Sequence, residues 1–525
     1  MIEICAPLRP SSAWSSEAAR PPRGRYRRGI QVARFNLTAE QRAVVTAPEG
    51  PLLVLAGPGT GKTAVLTDRI AHLIGEHGIV PASILALAFS NRAAQELRLR
   101  LAALLGADGR AVDVATLHGF GLRLLRQWQA MLGYASTPLR VYDERAALAL
   151  LAQTLGGTGV AVGPLPLRAL RRALDRHRLA LTGGAHAVTL QAIAAAYETQ
   201  LRRRGAVDYP AMLLEPLRLL RKHPEVARLL RVAYRAVLLD EAQDTCAVQY
   251  ALVRQLAERH RHLVLVGDPA QSLFAWRGAD GSVMRTFLRD FPETTVRTLS
   301  QNFRSTPQIV AVANTIGAGL PSRLALQAVG PSGPATVVHR AADEADEAAY
   351  IAGEVIHLLA RGLIRNASEV AVLIRANAQA PPLAGELRAR GLFGGPSIER
   401  MPEHPAAGDD LPDDLEQHST GVTGATARRS VSLLTIHAAK GLEWPAVFVA
   451  GLEEGLLPHR RAFDSGETVD ALVAERRAAY VAVTRPRWRL YLTCSRARLR
   501  GGVSIPSQAS RFLEDLAGLP LTRTP

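Results

Sequence analysis

From Phe35 onward, short unbroken apolar runs alternate with longer stretches in which apolar positions recur every three or four residues. PLLVLA (51–56) reads as a buried strand, followed by a glycine-rich turn and a helical stretch, TAVLTDRIAHLI. ILALAFS (84–90) is a second strand, with the helical NRAAQELRLRLAALL behind it. Continuous apolar strands alternating with amphipathic helices predict an α/β fold built on a parallel sheet, because helices then cover both faces of that sheet. Residues 120–235 are rich in Ala, Leu and Arg and nearly free of strand signals, so they predict a helical insertion. Strands return at AVLLD (236–240) and HLVLVGD (262–268). A second α/β unit follows from residue 284, with strands at EVAVLIR (369–375), SVSLLTIH (430–437), AVFVAGLE (446–453) and WRLYLTC (488–494).

Two segments do not fit either pattern. Residues 1–34, rich in Pro, Ser and Arg, predict a disordered basic arm. Residues 399–430, rich in Asp, Pro, Gly and Thr, predict a linker inside the second unit. The domains expected are therefore 35–283 and 284–525, and 525 residues suffice for both cores.

Composition narrows the partners. Lys+Arg 63 against Asp+Glu 47 gives a net charge of +16, which attracts polyanions, nucleic acid above all. Only three of the 63 basic residues are lysine: Lys62, Lys222 and Lys440. Such scarcity suggests lysine is kept where a compact, flexible ammonium is required. Cys5, Cys246 and Cys494 show neither metal-ligand spacing nor a disulfide framework, which fits a reducing cytoplasm. No apolar run reaches the roughly 20 residues of a membrane span.

AGPGTGKT (56–63) lies between a strand and a helix. Apart from Ala56, where the strict phosphate-binding loop has glycine, the pattern is intact: Gly57, Pro58, Gly59, Thr60, Gly61, Lys62, Thr63. Such a loop cradles phosphates with backbone N–H groups at a helix N-terminus; its lysine reaches the β/γ-phosphates and its threonine a Mg²⁺ ion. VLLDEAQD (237–244) then supplies the complementary part. Asp240, at a strand tip, can hold the Mg²⁺ shell, and Glu241 can take a proton from an attacking water. A solvated acidic turn would be the bland reading of that stretch on its own.

Taken in order, these motifs resemble the UvrD/Rep-like superfamily 1 DNA helicases, over residues 35–495. The resemblance implies two RecA-like P-loop domains with a helical insertion in the first, using ATP and Mg²⁺. FNLTAEQRAVV implies adenine reading by Gln41. LAFSNRAAQELRLRL and VATLHGFGLRLLR imply DNA contacts from Phe89, Asn91, Thr116 and His118. LVLVGDPAQSLFAWRGA implies a γ-phosphate sensor, Gln271, and a base-stacking Trp276. LSQNFRST implies an arginine finger, Arg304, with Phe303 where the family commonly stacks a tyrosine on adenine. LLTIHAAKGLEWPAVFVAGLEEGLLP implies a DNA-facing His437, Lys440 near DNA or the domain interface, and Glu443 near the ribose. AERRAAYVAVTRPRWRLYLT implies a second finger, Arg485. For Phe89, Phe120 and Phe274 core packing competes with stacking, and for His118 and His437 a structural hydrogen bond competes with a DNA contact.

The function so implied is an ATP-dependent, 3′ to 5′ translocase and helicase on single-stranded and tailed duplex DNA. It would act as a cytoplasmic monomer, off the membrane, among DNA repair or replication proteins. An ATPase switch or accessory subunit that remodels protein–DNA complexes without unwinding stays open as an alternative. The linker 399–430 stands where the family usually inserts a large mobile subdomain.

Overall fold

In the computed structural model, the structure describes residues 37–134, 138–158, 166–179, 187–273, 282–394, 430–463, 469–500 and 502–524. The expectations for the 1–34 arm, for Phe274 and Trp276, and for 399–429 lie outside the described residues.

The chain opens with α1 (Ala39–Val45), β1 (Leu52–Ala56), α2 (Lys62–Gly75), β2 (Ile84–Ala88), α3 (Asn91–Leu105), α4 (Ala107–Ala111), β3 (Asp113–Thr116) and α5 (Leu117–Trp128). A short pair, β4 (Arg140–Val141) and β5 (Ala206–Val207), brackets α6 (Glu144–Thr158), α7 (Leu167–Leu179) and α8 (Ala187–Arg203). Next come α9 (Ala211–Lys222), α10 (Pro224–Ala233), β6 (Ala236–Leu239), α11 (Ala247–Ala257), β7 (Leu263–Gly267), α12 (Val283–Asp290) and β8 (Thr295–Leu299).

The first sheet has the order β3-β2-β6-β7-β1-β8, every pair parallel. Its four central strands, β2, β6, β7 and β1, are apolar throughout because successive side chains enter two different cores. Leu52, Val54 and Ala56 of β1 join Ile84, Ala86 and Leu238 on one face. Leu53 joins Leu85, Leu87, Val237 and Leu239 on the other. Each such leucine contributes about 1.5–3 kcal/mol by leaving water.

Two boundaries differ from the sequence reading. Placing the second unit at 284 is too early, since β8 pairs with β1 at the edge of the first sheet. Its burial pattern, mostly exposed along Thr295–Leu299, is that of an edge strand and lacks the apolar run of its neighbours. The 120–235 insertion is also too wide. Phe120 and Leu124 of α5, Leu217 of α9 and Leu230 of α10 pack into the first sheet's own core. Only α6, α7 and α8 stand apart, around Leu150, Leu151, Leu170, Leu174, Ile193 and Tyr197. Beneath them Asp208 accepts from Arg171 (2.8 Å) and Arg178 (2.7 Å). Burial alone would raise the Asp208 carboxyl, but Arg178 and Arg171 hold it well below the usual carboxylate range.

After β9 (Gln301–Asn302), α13 (Pro307–Gly317) and β10 (Gln327–Ala328), the second sheet begins with β11 (Val337–Ala341) and α14 (Glu344–Ala360). It continues through β12 (Val370–Ile374), α15 (Ala380–Ala389), β13 (Ser432–Thr435), β14 (Trp444–Val449), α16 (Val469–Val483) and β15 (Pro486–Ser495). A hairpin, β16 (Ala497–Arg500) with β17 (Val503–Pro506), precedes α17 (Arg511–Glu514) and β18 (Thr522–Thr524). The order is β13-β12-β14-β15-β11-β18, again parallel. Ala270 and Leu273 of the first unit are buried in the second unit's core, so the two units share apolar surface.

The β7 entry carries a titratable weak point. Burial, then Arg235, pushes His260 down to about 4; burial, then Arg69, pushes His262 down to about 3. Both ring nitrogens of His262 are buried without a hydrogen-bond partner. Unfolded histidine titrates near about 6.5, so between that value and the folded ones the unfolded chain binds more protons. Stability therefore falls as pH drops below about 6.5, by up to about 1.4 kcal/mol per pH unit per group. The first melting transition should fall between pH 7 and pH 4.5, and His262→Leu should flatten that slope. Parallel slopes in the two proteins would remove His262 from the account.

Candidate active site

β1 ends at Ala56, and α2 starts at Lys62 after a five-residue turn. Ala56 is fully buried among the β1 neighbours, so its methyl group fills the core and the departure from glycine is accommodated there. Gly59 and Gly61 have φ of +70° and +83°, which an L side chain adopts only with strain. A Cβ on Gly59 would also lie 2.6 Å from Arg304 Cβ. Three successive loop carbonyls are held from outside. Asn302 Nδ2 donates to Pro58 O (2.8 Å), Phe303 N to Gly59 O (2.9 Å) and Gln41 Nε2 to Thr60 O (3.2 Å). Within the loop, Thr60 Oγ1 donates to Gly57 O at 2.8 Å, and Lys62 Nζ to Ala56 O at 3.1 Å. The loop is thus preorganised at a helix N-terminus, where anions are favoured. Phe303, half exposed beside it, offers a flat apolar face.

Asp240 follows β6 directly, and its Oδ1 accepts from the Glu241 N–H at 2.9 Å. Glu241 has φ +53°, a left-handed conformation that costs a residue with a side chain about 1–2 kcal/mol. Gln243 secures it: its Nε2 donates to the Glu241 carboxylate, while its Oε1 accepts from Asp268 N at 3.0 Å. Burial, then the charge of Glu241, pushes Asp240 up to about 7. Burial would raise Glu241 as well, but Lys62 and then Lys440 hold it below the ordinary value. A buried carboxylate with a raised pKa favours a cation, and Asp240 with the Thr63 hydroxyl offers the hard oxygens Mg²⁺ prefers. Among the described residues no group of three or more His, Cys, Asp or Glu is placed to hold a metal. Such an ion would therefore need phosphate oxygens or water to complete its shell.

The second unit closes over this surface. Gln271 Nε2 donates to Asp268 Oδ2 (2.7 Å), and Gln271 Oε1 accepts from Arg485 Nη2 (3.1 Å). Arg485 is fully buried, with Nε donating to Val481 O (2.9 Å) and Nη2 also to Thr484 Oγ1 (2.9 Å). Burial, then the like charge of Arg304, lowers it to about 9. Arg304 Nη1 donates to Thr484 O at 3.1 Å, so both guanidiniums converge on one residue. Arg304 also pairs with Glu443, which Arg487 Nε contacts at 2.9 Å. Glu443, expected near a ribose, is thus held between two arginines. Lys440 pairs with Asp244 and donates to Gln271 O (2.6 Å), which places it at the interface between the units.

Residues 37–292 match the UvrD/REP helicase N-terminal domain, and 297–399 with 414–497 match the UvrD-like helicase C-terminal domain. The chain belongs to the UvrD/REP helicase family. It is 30% identical to the ATP-dependent DNA helicase UvrD2 of Mycobacterium tuberculosis, over 93% of this chain and 82% of the relative. UvrD1 of the same species is 28% identical over 91% and 85%, and PcrA of Staphylococcus epidermidis 26% over 92% and 86%.

The residues expected at DNA in this UvrD/REP helicase have mixed placements. Phe120 is core. Phe89 is half-buried against the second unit's cluster. The Thr116 hydroxyl caps α5, accepting from Gly119 N at 3.0 Å, and His118 stacks on Tyr209 at 3.9 Å. Asn91 begins α3, behind the capping Ser90. His437 lines a cleft of about 490 Å³ with Arg375, Asn377, Thr435 and His459, beside the C-terminal ends of β12 and β13. Open parallel sheets bind ligands at those strand ends. Arg375, fixed by Glu475 through two hydrogen bonds (2.9 and 2.6 Å), and Asn377 are absent from the sequence reading, which took Arg375 only as the end of a strand. Glu40 was missed as well: its carboxylate accepts from Ser300 N (2.8 Å) and Oγ (2.6 Å), tying α1 to the strap that carries Phe303 and Arg304.

Gln243 gives this geometry a direct test. Gln243→Leu should keep ATP affinity within about twofold and lower kcat by about tenfold to a hundredfold, because an undirected carboxylate is a poor proton acceptor. Nucleotide titration and steady-state ATPase with single-stranded DNA measure the two. An unchanged kcat would separate Gln243 from the function of Glu241.

Proposed function

We propose that this chain is an ATP-driven motor that moves 3′ to 5′ on single-stranded DNA and separates the strands of tailed duplexes. The observation that carries the reading is the hydrogen bond between Gln271 and Arg485. It joins the loop after β7 of one sheet to the segment before β15 of the other, beside the phosphate-loop geometry and the Asp240–Glu241 pair. Relatives named ATP-dependent DNA helicases, matched over more than nine-tenths of this chain, support the activity. The direction is taken from the family resemblance.

In this reading ATP is the substrate, held by Gln41, the loop Ala56–Thr63 and the face of Phe303. Thr63 and Asp240 hold Mg²⁺, whose chemistry is to neutralise charge on the β- and γ-phosphates. Glu241 accepts the proton of the attacking water, and Arg304 and Arg485 stabilise charge on the transferred phosphoryl group. Because those arginines belong to the second unit, hydrolysis depends on how the two units meet, and turnover becomes relative motion. The cleft of Arg375, Asn377 and His437 supplies part of the strand path. Among the described residues no helix is long and apolar enough to cross a membrane. The motor works as a monomer in the cytoplasm, on DNA presented during repair or replication.

Glu241→Gln should bind ATP normally and hydrolyse it at least about a hundredfold more slowly, whereas Lys62→Ala should lose both functions. A directional strand-displacement assay then decides the wider reading. DNA-stimulated ATPase without displacement on either tail polarity would mark an ATPase switch instead.

We also propose that residues 399–430 replace the family's mobile subdomain. The C-terminal family match is interrupted between 399 and 414. The matches to the relatives run over 583, 633 and 658 positions, more than the 525 residues present here, so the relatives carry additional residues inside the matched span. Replacing 403–427 by a short Gly/Ser linker should leave DNA-stimulated ATPase within about twofold. Collapse of ATPase or folding in that protein would show that the segment packs on the motor.

A further inference from the structure

Two guanidiniums compete for one carboxylate beside the glycine-rich loop. Glu443 immediately precedes β14 and Arg487 is the second residue of β15, and the pairing of Trp444 with Pro486 sets the two side by side. Arg487, itself exposed, holds Glu443 Oε1 with two hydrogen bonds, from Nε at 2.9 Å and from Nη2. Arg304 meets the other oxygen, Oε2, as an ion pair only. Its Nε is buried without an aligned hydrogen-bond acceptor, and its Nη1 donates to Thr484 O at 3.1 Å. Arg485, by contrast, is fully engaged, with bonds to Val481 O, Thr484 Oγ1, Gln271 Oε1 and Leu442 O (3.2 Å). Burial would raise the Glu443 carboxyl, but Arg304 and then Arg487 keep it below its ordinary value. Burial lowers Arg304; Glu443 opposes that, and the like charge of Arg487 adds to it.

An arginine that serves a phosphoryl group must first give up Glu443. The strap that carries Arg304 is bonded on both sides, Phe303 N to Gly59 O (2.9 Å) and Thr306 N to Arg487 O (3.2 Å), so the change of partner falls to the side chain. The stem of that side chain already lies against the loop, since a Cβ on Gly59 would be 2.6 Å from Arg304 Cβ. A half-buried carboxylate stripped of its counter-ion is costly, so an unaided Glu443 would retain Arg304. Arg487 removes that cost, because its two bonds stay in place when Arg304 turns away and its like charge weakens the pair being broken. We propose that Arg487 is a positioning residue for hydrolysis: it holds Glu443 so that Arg304 can exchange the carboxylate for the phosphoryl group at the glycine-rich loop. The proposal rests on the motor reading for the role of Arg304, and it adds a residue that touches neither nucleotide nor DNA.

The test is a double-mutant cycle in the full chain, R487Q, E443Q and R487Q/E443Q, read as kcat and KM for ATP with saturating single-stranded DNA. R487Q should lower kcat about tenfold, a part of what a finger contributes, with KM and single-strand affinity within about twofold of wild type. Because Arg487 is exposed, R487Q should melt with wild type. With the carboxylate gone nothing retains Arg304, so R487Q/E443Q should match E443Q in kcat within about twofold. R487K, which keeps the charge but not the paired bonds, should fall between wild type and R487Q. An unchanged kcat in R487Q would overturn the proposal. So would an equal loss in the E443Q background, which would mean that Arg487 acts without Glu443. A rise in KM or a loss of DNA affinity at constant kcat would put Arg487 against ATP or DNA itself and overturn it too. R304A checks the reading beneath. Wild-type kcat in that variant would remove Arg304 as a finger, whereas an impaired R304A beside a normal R487Q would overturn only the role given to Arg487.

Discussion

Lys440 reaches from the segment after β13 of the second sheet to Asp244 and the Gln271 carbonyl of the first. Both partners of the ion pair are buried, and burial raises Asp244 to about 6 even against the opposing ammonium. Removing either partner would leave an unpaired buried charge, at about 3–5 kcal/mol. The same contact fixes where Gln271 sits, and Gln271 in turn meets Asp268 on its own unit and Arg485 on the other. Glu241 belongs to this arrangement through Gln243, which bonds both Glu241 and the Asp268 N–H. A carboxylate on one sheet and a guanidinium on the other are therefore joined through a continuous series of hydrogen bonds. A change at the cleft cannot leave that series intact while moving only one member.

The scaffold makes such coupling workable because each sheet is covered on both faces. Side chains of β1, β2, β6 and β7 alternate between two cores, so the strand tips that carry the loop at 57–61 and Asp240 have little freedom. The second sheet divides likewise, with Leu373 and Val449 on one face and Val372 and Phe448 on the other. Between the sheets, Ala270 and Leu273 supply the shared apolar surface. The basic residues follow a related division. Arginine serves where a planar fork can meet several acceptors, as Arg498 does between Glu347 and Glu453. Two of the three lysines stand at the glycine-rich loop and the interface, where a point charge on a flexible stem suits the geometry.

The sequence by itself determined what is local. A strand, a glycine turn and a helix occupy consecutive residues, so Ala56–Thr63 and the position of Asp240 at a strand tip were legible from spacing alone. The apolar runs of β1, β2, β6, β7, β12 and β14 were legible too, because burial on both faces leaves no polar alternation. β8 escaped because an edge strand keeps polar residues on its open side, and α5, α9 and α10 escaped because periodicity does not say which core a helix enters.

Tertiary structure alone decided the contacts that cross the chain. Glu40 and Ser300 lie 260 positions apart, Lys440 and Asp244 lie 196 apart, and Arg485 and Gln271 lie 214 apart. No spacing rule links such pairs. Lys440 and Arg485 meet their partners because the loop ends of two parallel sheets come together, and Glu40 meets Ser300 because β1 and β8 are paired neighbours in the first sheet. Whether a given phenylalanine or threonine ends in that cleft or beneath it is likewise settled by packing: Phe120 fills a core and the Thr116 hydroxyl caps a helix, although both stand in a motif that reads as a nucleic-acid contact. Motif chemistry is written in neighbouring residues, whereas burial is a property of the whole folded chain.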